Sequence, residues 1–421
     1  MKTTRNYPTV LLIFFTFFVI SFLTNIIGPL IPEIIEDFHL SLTMVALLPF
    51  AFFIAYAVMS IPAGILVERF GEKRVMLLAF LIAFLGALSL AIFHNYLTAI
   101  LSLFVIGTGM AMLQVAINPL LRTAGGEENF AFNSTLVQFF FGTASFLSPL
   151  IYSYLVLNLE NPASDPNILI RSLDTVVPKE LSWISMYWVF AVLALFMVVL
   201  IRVVRFPKVE LKEDEKSGST QSYLSLIKDP KVILFFFGIF FYVGTEQGVN
   251  NWVSEFLQEY HGFDPQTTGA RVVSRFWGLM TLGAIPILFM LKFIDSRKVL
   301  IAFAAAAIAL LTIGLFGSGE TAKIAFPLIG VCASAMWPMI ISLALNSFKE
   351  HHGTLSGILI TGIVGGAIWP LLIGSIGDIV GLRTGMFLIY ISLGYILSIG
   401  FWAKPLVSNK TVRRKKARLN N

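Results

Sequence analysis

Apolar runs long enough to cross a membrane recur along the whole of this 421-residue chain, separated by short clusters of charged and turn-forming residues. An α-helix needs about 20 apolar residues to cross the ~30 Å hydrocarbon core of a bilayer. Only 13% of the residues are charged, whereas about a quarter are charged in soluble domains. We therefore predict an all-α polytopic membrane protein.

The ends of these runs predict twelve transmembrane helices. Lys2 and Arg5 precede the first run, as in a signal peptide, but the run is too long for one and we interpret it as the first span. The spans are predicted near residues 9–31, 43–67, 75–94, 97–121, 131–157, 184–205, 232–257, 269–293, 299–316, 323–347, 354–376 and 384–403.

The lysines and arginines predict the orientation, because cytoplasmic loops of membrane proteins carry an excess of both. With the N-terminus inside, only six of the 30 basic residues fall outside, namely Arg171, Lys179, Arg271, Arg275, Lys323 and Arg383. We expect a multi-pass protein of the cytoplasmic (inner) membrane with both termini in the cytoplasm. The net charge of +6 then reflects this bias and not a nucleic-acid-binding surface.

One long charged stretch divides six predicted helices from six. We predict an N-terminal six-helix bundle at 1–205, a cytoplasmic linker at 206–230, a C-terminal six-helix bundle at 231–403 and a basic cytoplasmic tail at 404–421.

An internal repeat supports this division. Residues 64–88 resemble residues 288–311, and the Asn118-Pro119 pair of span four matches Trp337-Pro338 of span ten. Repeats of this kind predict two pseudo-symmetric halves with a solute site near the middle of the membrane.

Enzymatic and metal-dependent functions are disfavoured. Cys332 is the only cysteine, so an intrachain disulfide and a cysteine-based metal site are excluded. The five histidines fall at predicted loop ends, and the chain has no Gly-rich phosphate loop. We expect no enzyme activity, no cofactor and no bound metal.

The segment GILVERFGEKR between predicted spans two and three resembles the loop signature of the major facilitator superfamily. In it, Glu68 can accept charge-assisted hydrogen bonds that lock one conformation, and the glycines permit close packing and a tight turn. An ordinary positively charged loop is the alternative. The gating residues implied by the resemblance are Gly64, Glu68, Arg69, Gly71 and Arg74.

Four further segments, at 109–142, 242–252, 330–345 and 355–378, resemble the fucose-galactose-glucose:proton symporter family, and the similarity runs from the first span to the twelfth. The resemblance implies the major facilitator fold, with two six-helix bundles, and uptake of a monosaccharide driven by a cation gradient.

The chain departs from that family at two coupling positions. Gln114 stands where the family has a membrane glutamate in span four, and Gly28 stands where it has a proton-linked aspartate in span one. Asn25 and Gln138 do match polar residues of the family. The resemblance therefore implies a similar site without its two carboxylates.

Glu246 lies near the middle of predicted span seven. A carboxylate at that depth is costly unless it is protonated, paired or hydrated, so a functional role is the default hypothesis. We expect it to couple transport to a proton or to Na⁺. The alternative is a structural ion pair with Arg275, which we also count among the candidate gating residues.

Amides accumulate on spans one, four, five and seven, and they suit the hydroxyls of a sugar because they both donate and accept. Helix–helix hydrogen bonds are the alternative for each amide. Two tryptophans that precede prolines in the C-terminal half offer apolar faces for a sugar ring. The candidate substrate-binding residues are Asn25, Gln114, Asn118, Gln138, Gln247, Asn250, Asn251, Trp337 and Trp369.

The sequence thus favours a secondary active transporter that takes up a hexose, deoxyhexose or amino sugar with a proton or Na⁺. It leaves open an uncoupled facilitator or exporter of another small polar solute, and a solute sensor that does not transport. We expect a monomer whose partners are the sugar and the lipid bilayer.

Overall fold

Every regular element that the computed structural model describes is helical. It describes residues 6–126, 130–161, 166–207, 226–291, 293–348 and 352–406. Most of the predicted linker (208–225) and of the predicted basic tail (407–421) lies outside the described residues.

Sixteen α-helices are described. In chain order they are α1 Tyr7–Thr24, α2 Ile27–Phe38, α3 Leu42–Phe70, α4 Glu72–Ile92, α5 Tyr96–Gly125, α6 Phe130–Glu160, α7 Ile168–Asp174, α8 Ser185–Val203, α9 Pro230–His261, α10 Ala270–Met290, α11 Ser296–Phe316, α12 Gly319–Leu345, α13 His352–Thr361, α14 Gly365–Val380, α15 Leu382–Gly385 and α16 Leu388–Trp402.

Each of the twelve predicted spans coincides with one helix or with successive helices that form one span. Within the described ranges, eleven spans are long and apolar enough to cross a membrane. The remaining predicted span, the eighth, is α10, which carries Arg271 and Arg275 in its first two turns. The prediction of a polytopic all-α chain is therefore confirmed.

The first span is broken in its middle. α1 ends at Thr24 and α2 begins at Ile27. Pro29 lacks a backbone N–H and therefore cannot donate to the carbonyl of Asn25, four residues earlier. The break places Asn25 between two helical segments.

Side-chain caps explain where several helices begin. Ser41, Asn95 and Ser318 each accept a hydrogen bond from the backbone N–H three residues later, as N-cap residues do. The α3–α4 turn contains Gly71 at a φ of +81°, a conformation that favours glycine because it has no Cβ.

The chain forms two compact units. The first comprises Met1–Leu211 and Asn251–Ser274, and the second comprises Lys212–Asn250 and Arg275–Asn421. Helix α9 thus contributes its first two-thirds to the second unit and its C-terminal third to the first. In the first unit α5 packs on α3 and α4, and in the second α11 packs on α12 and α16.

Both units contain the same close helix contact. A Cβ on Gly107 of α5 would lie 2.3 Å from the carbonyl oxygen of Phe52 in α3. In the second unit, a Cβ on Gly330 of α12 would lie 2.3 Å from the carbonyl oxygen of Phe276 in α10. The phenylalanines are 224 residues apart and the glycines 223, so the repeat seen in the sequence extends to backbone packing.

These contacts predict that Gly330→Ala destabilises the protein, because the added methyl group forces α12 away from α10 at a cost of about 1–3 kcal/mol. Gly394→Ala is the matched control, since a Cβ there meets nothing within 4 Å and alanine favours the helix. Thermal unfolding of the detergent-solubilised variants tests this. Equal melting temperatures for the two variants would contradict the packing argument.

Candidate functional site

Glu246 lies about 24 Å from the start of α9, at a rise of 1.5 Å per residue, and therefore near the middle of this 32-residue helix. Its side chain is partly accessible, whereas Tyr242, Thr245, Gln247 and Asn250 around it are buried. Glu246 is thus the partly exposed member of an otherwise packed stretch of the helix.

A chain of hydrogen bonds ends on this carboxylate. Tyr242 Oη donates to Glu246 Oε2 at 2.7 Å, and Gln247 Nε2 donates to Glu246 Oε1 at 3.1 Å. Asn250 Nδ2 donates to Gln247 Oε1 at 3.4 Å, and Trp277 Nε1 of α10 donates to Asn250 Oδ1 at 2.8 Å. All five side chains belong to the second unit.

The donors of this chain are all neutral. When ionised, a carboxylate can accept hydrogen bonds but cannot donate them, and here each of its oxygens receives one donor from a phenol or an amide. Among the described residues, Arg275 forms no ion pair with Glu246, and its side chain is exposed on α10. Among the described residues, the site therefore offers this carboxyl group neutral donors and no fixed positive partner.

The two predicted tryptophans differ in their surroundings. Trp337 of α12 is partly accessible, and its ring lies 5.6 Å from that of Tyr242 between centroids. Trp369 of α14 is 7% exposed and packs at 5.1 Å from Phe241. A Cβ on Gly244 would lie 2.8 Å from Cγ of Trp369, so the indole packs directly on the α9 backbone. Trp337 is thus the more accessible of the two rings, and it lies against Tyr242, which donates to the carboxylate.

The predicted amides of the first unit occupy different environments. Asn25 is buried at the break between α1 and α2, and its Nδ2 donates to Ser145 Oγ of α6 at 2.9 Å. Gln114 of α5 is partly accessible, and Gln138 of α6 is exposed. The side chain of Asn118 lies outside the described residues. Asn251 is buried and belongs to the first unit, although Asn250 belongs to the second.

The predicted gating loop contains a structural contact that the sequence analysis missed. Glu68, Arg69 and Arg74 are exposed, whereas Lys73 Nζ donates to the carbonyls of Arg202 and Val204 at 3.1 and 2.7 Å. These carbonyls end helix α8, where a positive charge is favourable.

The second unit repeats this arrangement 224 residues later. Arg297 Nη1 donates to the carbonyl of Ala403, the C-cap of α16, at 3.4 Å.

A second buried carboxylate was also missed. Glu33 of α2 is 9% exposed, and Tyr152 Oη of α6 donates to its Oε1. The predicted first span ends near residue 31 and leaves Glu33 out, whereas the helix continues to Phe38. The available signal was an acidic residue that directly follows Pro32 and precedes two isoleucines.

Comparison with known proteins gives one family. A family model described as the Major Facilitator Superfamily matches residues 13–370. The chain is 31% identical over 389 residues to a glucose/galactose transporter of Brucella abortus biovar 1 (strain 9-941), covering 91% of each protein. It is 25% identical to the L-fucose-proton symporter of Escherichia coli (strain K12), covering 87% of this chain and 86% of the symporter.

A solved structure shares the fold. The crystal structure of the E. coli fucose:proton symporter aligns with 95% of this chain and 100% of its own, with a TM-score of 0.66 and 23% identity. The family resemblance and the fold class predicted from the sequence are confirmed.

The contacts of Lys73 predict that Lys73→Met lowers the free energy of unfolding by about 1–2 kcal/mol, because two carbonyls at the end of α8 lose a charged donor. Lys298→Met removes an exposed charge from the equivalent loop of the second half and serves as the control. Thermal unfolding of both variants in detergent provides the measurement. Equal melting temperatures would show that Lys73 does not stabilise the end of α8.

Proposed function

This chain belongs to the Major Facilitator Superfamily, and on that premise we propose that it takes up a monosaccharide together with a cation by alternating access. Two relatives support the substrate class, since one is named a glucose/galactose transporter and the other an L-fucose-proton symporter. The proposed substrate is a hexose, deoxyhexose or amino sugar, and the proposed cation is a proton or Na⁺.

The observation that carries the coupling proposal is Glu246 held by neutral donors. An uncompensated carboxylate within a membrane protein is costly, and a bound proton or Na⁺ removes that cost. Loading and release of the cation then change the charge at the centre of α9 in each cycle. That change is what allows an ion gradient to drive movement of a neutral sugar.

The other proposed roles follow from position. The accessible ring of Trp337 covers an apolar face of the sugar, and Trp369 supports α9. Amide side chains bind the sugar hydroxyls, and these are the amides of Asn25, Gln114, Asn118, Gln138, Gln247, Asn250 and Asn251. Glu68, Arg69, Arg74 and Arg275, with Gly64 and Gly71, form the proposed gating set. We further propose an inner-membrane location with cytoplasmic termini and a monomeric state.

Uncoupled transport is the second candidate function. The observation that favours it is the absence of acids at Gly28 and Gln114, where the sequence resemblance places the family's carboxylates. Under this alternative Glu246 binds only the sugar, and transport proceeds without a cation gradient.

Proteoliposomes containing the purified protein test both candidates. We expect sugar to accumulate against its concentration gradient when an inward proton or Na⁺ gradient is imposed, for at least one member of a panel of glucose, galactose, fucose and N-acetylglucosamine. Counterflow that is independent of every cation gradient would instead establish the uncoupled function. No movement of any sugar would contradict sugar transport altogether.

Glu246→Gln is expected to abolish gradient-driven accumulation while sugar counterflow persists, because the neutral amide resembles the cation-loaded carboxyl but cannot release a cation. Glu320→Gln is the control, since Glu320 lies in the first turn of α12 in an exposed ion pair with Lys323. Accumulation and counterflow are measured for the same preparations. Unchanged accumulation in Glu246→Gln would remove Glu246 from the coupling role.

A further inference from the structure

We propose that Trp277 is a positioning residue, which fixes the direction of the hydrogen-bond chain that ends on Glu246. The inference rests on the proposed function and names a determinant of the same site that the sequence did not reveal. Trp277 is 2% exposed and lies on α10, whereas the other members of the chain lie on α9.

Amide side chains can point either way, and only their partners decide the orientation. The indole N–H of Trp277 can only donate, so the oxygen of Asn250 faces it at 2.8 Å. The nitrogen of Asn250 therefore faces Gln247, and the nitrogen of Gln247 faces Glu246. The obligate donor Trp277 thus favours the observed orientation of both amides.

The direction of the hydrogen-bond chain determines whether Gln247 presents a donor or an acceptor to the carboxylate of Glu246. With the amides oriented as observed, Gln247 offers a donor to Glu246 and stabilises the charged form. If both amides reversed, Gln247 would present its oxygen to the carboxylate, and two acceptors would face each other. Only a protonated Glu246 could satisfy that arrangement. Trp277 therefore keeps the site in the arrangement that favours a charged carboxylate, ready to take up a cation.

The Tyr242 hydroxyl cannot fix the direction of the hydrogen-bond chain in place of Trp277. It donates to the other oxygen of Glu246, but a hydroxyl also accepts and can rotate to suit either protonation state. The indole has no such alternative. We therefore place the orienting role in the residue on the neighbouring helix, whose indole donates to Asn250 and not to the carboxylate.

Trp277→Phe in proteoliposomes tests the proposal, because it keeps an aromatic ring and removes only the donor. We expect gradient-driven sugar accumulation to fall about fivefold, the effect of losing one neutral hydrogen bond, while the maximal rate of counterflow stays within twofold of the unaltered protein. Trp402→Phe is the matched control, since it also removes an indole donor, to Ser398 Oγ at 3.2 Å, away from the site. The control is expected to leave both quantities unchanged.

A double-mutant cycle separates positioning from packing. If Trp277 acts through Asn250, Trp277→Phe causes no further loss of accumulation in an Asn250→Ala background, because the chain is already broken. Losses that multiply in the double variant would overturn the proposal. A proportional fall of accumulation and counterflow in Trp277→Phe would also overturn it, since that is the result of a merely structural role.

The outcome remains decisive if Trp277→Phe does not fold. Asn250→Ala breaks the chain at its next link and must then lower gradient-driven accumulation, whatever its effect on sugar binding; full accumulation in that variant would overturn the proposal. The unaltered protein is measured in parallel. If the unaltered protein accumulates no sugar, the proposed function fails. If the unaltered protein accumulates sugar normally but the effect of Trp277→Phe is unselective, only the positioning role of Trp277 fails.

Discussion

A carboxylate in the middle of a transmembrane helix must be stabilised by groups that the protein itself supplies, because the hydrocarbon offers none. In this chain Tyr242 and Gln247 supply that stabilisation to Glu246, and Asn250 and Trp277 orient the amide. The packing of α9, α10 and α12 around these side chains can be understood as the framework that keeps the donors in place. The absence of a fixed positive charge among them gives the site its proposed chemistry.

The two units share several helix-packing and helix-capping contacts. Gly107 against Phe52 and Gly330 against Phe276 bring corresponding helices into backbone contact in each unit. Lys73 and Arg297 cap the last transmembrane helix of their respective halves. The lysines and arginines of these loops, which the sequence analysis used only to predict membrane orientation, thus also stabilise helix ends. The repeat is therefore a repeat of specific packing and capping contacts as well as of apolar sequence.

The fold was predictable because span length and basic-residue bias are local properties of the sequence. The site was predictable only in part. Glu246 stands out as an acid within an apolar run, but Trp277 acquires its role from a partner on another helix, 27 residues away, and no periodicity reports such a pairing. Glu33 was missed for a different reason: charge and two prolines end an apolar run in the sequence, whereas the helix continues to Phe38 and is buried as far as Ile34.

The choice of neutral donors distinguishes this site from a structural ion pair. A salt bridge between Glu246 and Arg275 would satisfy the charge permanently, and a cation from solution would then have to displace a covalently attached competitor. Phenol and amide donors hold the carboxylate in place but leave its charge uncancelled. Each also retains a stable hydrogen-bonding arrangement when the carboxylate is neutralised. The proposed cation can therefore load and leave without displacing a fixed partner, which the proposed coupling requires and a purely structural buried acid does not.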